Sequence, residues 1–352
     1  VALGMCEALH AASLLSGFTA VDTLNLEELR PSEDPVATAL VVGDPATVEV
    51  VHMLDQPTKI WLLLAMNSLT MAPRLREYLE RLLRNEKLHG IVVPSHTSLY
   101  VVANGLWNAM PQGRDIDIRK VRHGVSRAYS PYAWGPRQSG EIERIALHVT
   151  SSTHQRKGTR ELILAWKRLE PRLRRQVRLR IICNPEAQLE YLYQAEDEPS
   201  IEVVLHDGCP TSQMARRIRR ALVVVQPSRS EGFGLVPLQG LCMGVPAILT
   251  RRTGHREYAF GSAMESMCTN IALEATGPID DFPGAEAPML RVDAVHSALT
   301  ETLPRLLREA EDPATLNAQH VFACDLWSHW SWGAIADRDR HALEHLAATD
   351  GG

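Results

Sequence analysis

Two short stretches of this sequence place charged residues beside glycines at the points where apolar strands give way to helices. In Gln226-Pro-Ser-Arg-Ser-Glu231-Gly232-Phe233-Gly234-Leu235, a carboxylate and two glycines follow the unbroken apolar run Ala221 to Val225. Such a run reads as a strand of a parallel sheet buried on both faces. Glycine lets a ligand approach the backbone closely, and the following helix points free N–H groups and the positive end of its dipole into the turn. A sugar phosphate or diphosphate fits that chemistry. In Ser151-Ser-Thr-His154-Gln-Arg156-Lys157-Gly158, two cations stand at the start of a helix whose inner side carries Leu162, Ile163, Ala165 and Trp166. Cations placed at the positive end of a helix call for an anion nearby.

The stretch from Gln226 to Pro246 resembles the donor-binding signature of the retaining GT-B glycosyltransferases, the family-four group related to sucrose synthase and bacterial glycogen synthase. The usual form is P-S-x-x-E-G-F-G-L-x-x-x-E-A-x-A-x-G-x-P-V. The resemblance implies that Glu231 binds hydroxyls of the transferred sugar and that the amides of Gly232, Phe233, Gly234 and Leu235 bind sugar and phosphate. The second acidic position, which holds the ribose in the family, is Gln239 here; an amide still hydrogen-bonds a hydroxyl, without charge assistance. The stretch from Ser151 to Trp166 resembles the motif G-R-x-x-x-x-K-G-x-x-x-L-I-x-A, in which arginine and lysine neutralise the donor diphosphate. Lys157 falls on the lysine. Ser151 falls on the arginine, which leaves Arg156 as its substitute. A departing diphosphate gains charge in the transition state, so fixed cations contribute most there. The implied catalytic set is Glu231, Lys157 and Arg156, and the implied donor-binding set adds Gly4, Ser151, His206, Gly232 to Leu235 and Gln239.

The elements around these motifs alternate between strand and helix, which implies an α/β protein with parallel sheets. Expected strands are Ala20 to Leu24, Ala39 to Val42, Ile60 to Ala65, Gly90 to Val93 and Ile118 to Arg122, with a helix at Pro73 to Glu86. A second series runs through Ile142 to Val149, Val177 to Cys183, Ile201 to Leu205, Ala221 to Val225 and Ala247 to Thr250. Ser130-Pro-Tyr-Ala-Trp-Gly-Pro136 breaks regular structure between the two series. The resemblance implies a GT-B fold, two Rossmann-like parallel-sheet domains facing a cleft. Residues 1–135 would form the acceptor-side domain, 141–325 the nucleotide-sugar domain, and 326–352 a helix returning to the first. Three tryptophans, Trp327, Trp330 and Trp332, suit packing in that return segment better than carbohydrate stacking. The opening Val1-Ala-Leu-Gly4 looks like a glycine loop and helix without the strand that precedes them in the family. Either that strand is missing from the chain or the edge is built differently, and Gly4 is either the loop glycine near the diphosphate or an ordinary helix-start glycine.

At 352 residues with a net charge of −5, the chain is long enough for two such domains and carries no overall electrostatic footprint for nucleic acid. Arginine clusters at Arg172 to Arg180 and Arg216 to Arg220 read as solvated helix faces. Six cysteines without a Cys-x-x-Cys pair suggest reduced thiols and a cytoplasmic protein. The apolar run Ile60 to Met66 is too short to span a bilayer, which leaves peripheral membrane contact open. His52, Asn67, His96 and His123 fall near ends of expected strands in the first half, where an acceptor would enter; Glu257 reads as structural. The expectation is a metal-independent retaining glycosyltransferase with no cofactor beyond a donor such as a UDP- or GDP-sugar. Its acceptor hydroxyl belongs to a glycan, a lipid-linked sugar, a small molecule or a modified DNA base. The alternative is a catalytically degenerate sugar-nucleotide-binding or scaffold protein, for which Gln239 and Ser151 speak.

Overall fold

The computed structural model describes residues 36–42, 57–63, 88–107, 116–150, 155–205, 210–251, 253–259, 262–274, 276–278 and 286–347. Val125–His329 form one compact unit, and the other draws on the chain up to Gly124 and from Trp330 onward.

The split unit holds a parallel sheet of four strands in sequence order, β1 (Val36–Val42), β2 (Pro57–Leu63), β3 (Leu88–Val93) and β4 (Asp117–Lys120). The strand expected at residues 20–24 and the helix at 73–86 lie outside the described residues. Between β3 and β4 runs α1 (His96–Trp107). It begins after Ser95, whose buried hydroxyl accepts from the amide of Ser98 at 2.9 Å and so satisfies a donor that the first helical turn leaves free. From the far end of the chain the same unit takes α5 (Trp332–Arg338), whose following residue Asp339 accepts from the backbone amide of Arg122 at 2.8 Å and pairs with its guanidinium. The tryptophan ring of Trp330 is buried beneath the guanidinium of Arg338, 5.4 Å away, in a cation–π contact.

The continuous unit contains six parallel strands: β5 (Glu143–Val149), β6 (Arg178–Cys183), β7 (Ile201–Leu205), β8 (Ala221–Gln226), β9 (Ala247–Leu249) and β10 (Cys268–Asn270). Their spatial order is β10-β9-β8-β5-β6-β7. Counted within the unit this is the doubly wound order 3-2-1-4-5-6, in which the chain reverses its direction of travel between β5 and β8. All six residues of β8 are buried, as the apolar run Ala221 to Val225 requires of a central strand, and Gln226 at its end donates to the hydroxyl of Ser228 at 3.2 Å.

The helix α2 (Thr159–Lys167) follows β5 and buries Leu162, Ile163, Ala165 and Trp166, one stripe at helical spacing, against the sheet and α4 (Val292–Glu309). Trp166 is wholly buried and places its indole N–H on the hydroxyl of Ser200 at 3.0 Å. Truncating so large a side chain costs about 3–5 kcal/mol, so α2 is held firmly enough to fix the turn that precedes it. Three arginines depart from the solvated helix faces expected of their clusters: Arg178 and Arg180 lie on β6, and Arg219 is buried and donates to the carbonyls of Met243, at 3.0 Å, and Gly135, at 2.9 Å.

Candidate active site

In a doubly wound sheet the crevice opens at the carboxyl ends of the strands, where neighbouring crossovers leave in opposite directions. Here that place is the gap beyond β5 and β8. The turn Gln155–Lys157 follows β5 and leads through Gly158 into α2. Residues 227–234 follow β8 and lead into α3 (Leu235–Leu241). The two turns are joined by main chain: the amide of Arg229 donates to the carbonyl of Arg156 at 2.8 Å.

Their side chains form one ion cluster. Lys157 Nζ lies 2.5 Å from Glu231 Oε1, and Arg156 Nη1 lies 3.1 Å from Oε2. Ser228 Oγ donates to Oε1 at 2.8 Å, and Arg156 also reaches the carbonyl of Ser230 at 3.3 Å. The Glu231 side chain is only 7% exposed, against 16% for Lys157 and 18% for Arg156. Burial opposes ionisation of Glu231, but the charges of Lys157 and Arg156 outweigh it and hold the carboxyl well below the usual carboxylate range. Burial lowers the Lys157 ammonium; Glu231 restores part of that loss, and the neighbouring Arg156 works against it.

Two glycines make this arrangement possible. Gly158 has φ +66°, and a Cβ there would stand 2.2 Å from the carbonyl oxygen of Pro227. Gly234 has φ +82°, and a Cβ there would strike the imidazole of His255 at 2.1 Å. Gly158→Ala is therefore expected to destabilise the unit by about 2 kcal/mol or more, since both the left-handed backbone and the docking of one turn on the other oppose it. A urea midpoint equal to wild type would contradict that packing.

Around the cluster stands a ring of buried polar groups that the motifs alone do not single out. Thr250 Oγ1 donates to the carbonyl of Ser228 at 2.5 Å, and the imidazole of His255 bonds the carbonyl of Thr250 through Nδ1 at 2.9 Å. The amide of Gly254 donates to the carbonyl of Glu231 at 2.9 Å, and Tyr258 donates its hydroxyl to the carbonyl of Gly234 at 2.5 Å. Phe233 is buried, its ring 5.7 Å from that of Tyr258, which leaves only its backbone for a ligand. On the other side, His148 of β5 donates through Nδ1 to the carbonyl of Val225 at 2.8 Å and accepts from the hydroxyl of Thr159 at 2.9 Å through Nε2. It thereby ties β5, β8 and the start of α2 together beneath the cations.

Burial lowers the His148 imidazole from 6.5 to about 4. Its neutral form is the one that fits, so its contribution to stability is complete above about pH 6.5 and is lost as pH falls toward 4. The gap corresponds to about 3 kcal/mol. Burial lowers His255 as well, so it adds to the loss of stability in the same direction. Denaturant midpoints are expected to fall between pH 6.5 and 4, and His148→Gln to flatten that slope. An unchanged slope in the variant would exclude His148 as a source.

Of the residues expected from sequence, the structure brings Arg156, Lys157 and Glu231 together, with Gly232 to Leu235 on the adjoining turn and Gln239, half-buried, on α3. Gly4, Ser151, His206, His52 and Asn67 lie outside the described residues. In the other unit, His96 is exposed and accepts from Lys120 Nζ at 2.7 Å, whereas His123 is buried, with burial lowering it to about 3. Glu257 is half-buried. Among the described residues no group of three His, Cys, Asp or Glu side chains could hold a metal ion, and no helix is long and apolar enough to cross a membrane.

Residues 137–260, which contain the whole ion cluster and its surrounding loops, match the family Glycosyl transferases group 1. No curated protein matches the chain in sequence. Among solved structures the chain is similar to a UDP-forming α,α-trehalose-phosphate synthase from Burkholderia xenovorans in complex with glucose-6-phosphate. The TM-score is 0.61 at 16% identity, covering 92% of this chain and 75% of that one. It is similar to a sucrose-phosphate synthase from Thermosynechococcus elongatus, with a TM-score of 0.60 at 15% identity over 88% of this chain and 73% of that one. A trehalose-6-phosphate synthase studied for glycosyl transfer with retention gives a TM-score of 0.60 at 14% identity, covering 96% of this chain and 82% of that one. The fold is the GT-B fold of these synthases, and the segment bearing the site matches the group 1 family model.

Proposed function

We propose that this chain is a retaining glycosyltransferase that moves a sugar from a nucleotide-sugar donor to an acceptor hydroxyl. The observation that carries the reading is the buried cluster of Arg156, Lys157 and Glu231 at the strand ends where a doubly wound sheet binds its ligand, inside the segment that matches the group 1 family.

Lys157 and Arg156 bind the diphosphate and offset the charge that grows as the nucleotide departs. Glu231 accepts hydrogen bonds from hydroxyls of the sugar and orients it. Backbone amides of residues 232–235 bind sugar and phosphate, and Gln239 holds the ribose through its amide. Two fixed cations fill the place that a divalent ion takes in other sugar transfers, so the reaction needs no metal and no cofactor. Cys183, Cys242 and Cys268 are buried free thiols, which supports a reducing compartment such as the cytoplasm. The acceptor is a hydroxyl of a glycan, a lipid-linked sugar, a small molecule or a modified DNA base. Retention of configuration accords with the study of the trehalose-6-phosphate synthase named above.

A thermal-shift panel of UDP- and GDP-sugars tests the reading first, because a ligand at 100 times its Kd stabilises the native state by about 2.7 kcal/mol. One sugar nucleotide is expected to raise the unfolding temperature, and NMR of the early product to show the anomeric configuration of the donor. Inverted configuration would remove the retaining assignment; no shift with any sugar nucleotide would remove the donor site itself.

A further inference from the structure

The site already contains an anion. Glu231 occupies both cations at 2.5 and 3.1 Å, the two groups that a diphosphate needs. Both its side chain and its turn are held. Its carboxylate accepts from Ser228, its carbonyl accepts from Gly254, and Ser228 is held by Thr250. With Glu231 in this position, a phosphate that enters shares Lys157 and Arg156 with a carboxylate.

Two ligands meet that carboxylate differently. A sugar nucleotide brings a diphosphate whose terminal phosphate is esterified, and it presents sugar hydroxyls that donate to Glu231. A bare nucleoside diphosphate ends in a phosphate carrying close to two charges at neutral pH and has no hydroxyl there to donate. The first converts the carboxylate into a partner; the second sets two anions against each other in a poorly hydrated site, where such repulsion is strong.

We infer that Glu231 determines selectivity between the two nucleotide forms, favouring the sugar-bearing donor and hastening release of the bare nucleoside diphosphate after transfer. This deepens the donor-site reading above and rests on it. The carboxylate thus acts twice in a cycle: it orients the sugar while the sugar is attached, and it repels the terminal phosphate once the sugar has left. The two cations that draw the diphosphate in are kept from holding the product too tightly.

The test is calorimetric titration of UDP, GDP, UDP-glucose and GDP-glucose into wild type, Glu231→Gln and Glu231→Asp, each checked for native circular dichroism. Glu231→Gln keeps the shape of the side chain and removes its charge. It is expected to bind the bare nucleoside diphosphate about ten-fold or more tighter than wild type and to bind the sugar conjugate no tighter, reversing the preference. Glu231→Asp keeps the charge but withdraws it by one methylene, and a smaller gain of about three-fold is expected; should the glutamine variant fail to fold, this variant decides. Unchanged or weaker binding of the bare nucleotide in the folded variants, with sugar-nucleotide binding by wild type intact, overturns the selectivity inference alone. Failure of wild type to bind any of the four overturns the donor reading as well.

Discussion

Replacing Glu231 by alanine is expected to lower kcat/KM for sugar transfer by about 100- to 1,000-fold, the scale of loss when a fixed polar contact to a reacting group is removed from a water-poor site. The carboxylate is buried, bound by two cations and one hydroxyl, and held by those cations well below the usual carboxylate range. Its loss leaves Arg156 and Lys157 without their counter-ion, at a cost of about 1–3 kcal/mol, because buried charged groups favour a partner. That cost is moderated by the partial exposure of both cations and by the lowered proton affinity of Lys157. Transfer rates and thermal unfolding measured side by side separate the two effects: a large loss of rate with a modest loss of stability is expected, and turnover at the wild-type rate would sink the assignment.

Lys157→Ala is expected to weaken a nucleoside diphosphate and its sugar conjugate together, by about 10- to 100-fold, while leaving an unphosphorylated nucleoside unaffected. The lost interaction is attraction between a fixed cation and phosphate oxygens. In this variant Glu231 keeps only Arg156, so its repulsion of a bare terminal phosphate also grows and the nucleoside diphosphate falls further within that range than its sugar conjugate. Salt reproduces part of the change: the Lys157 side chain is 16% exposed, and screening acts where the site meets solvent, so the difference between wild type and variant narrows as ionic strength rises. Titrating the three ligands at low and high salt checks both points. An equal loss for the nucleoside would reassign Lys157 to supporting the turn, and no loss for any ligand would return it to a solvated helix start.

The parts of this protein that were legible in its sequence are those dictated by local periodicity and by glycine. Ala221 to Val225 is apolar at every position because β8 is buried on both faces, and no amphipathic reading competes with it. The spacing of Leu162, Ile163, Ala165 and Trp166 declares the inner stripe of α2 in the same way. Gly158 and Gly234 mark turns because their positive φ angles exclude other residues at little cost. What sequence left hidden is set by distance along the chain. Lys157 and Glu231 are 74 positions apart, and nothing in either stretch says that the carboxylate rests on the ammonium. His148 sits in an apolar strand, and its link from the carbonyl of Val225 to the hydroxyl of Thr159 exists only once the sheet is assembled. Thr250, His255 and Tyr258 secure the Glu231 turn from a loop whose sequence draws attention to Glu257 instead. Arg219 looks like its exposed neighbours because helical periodicity alone does not reveal that a guanidinium is needed to satisfy carbonyls where helices end.

The central claim, that the ion cluster beyond β5 and β8 is a sugar-transfer site, is tested most directly by nucleoside diphosphate release from the sugar nucleotide that most stabilises the protein. The comparison is between wild type and a variant carrying both Lys157→Ala and Glu231→Ala. Removing both members of the pair leaves the net charge unchanged and strands only the part-exposed Arg156, which keeps the carbonyl of Ser230, so the fold is expected to be retained. Wild type is predicted to release nucleoside diphosphate, faster when an acceptor is supplied, and the double variant to show native circular dichroism and release at least about 100-fold slower. Release by the folded double variant at the wild-type rate would place the chemistry elsewhere in the chain and contradict the account.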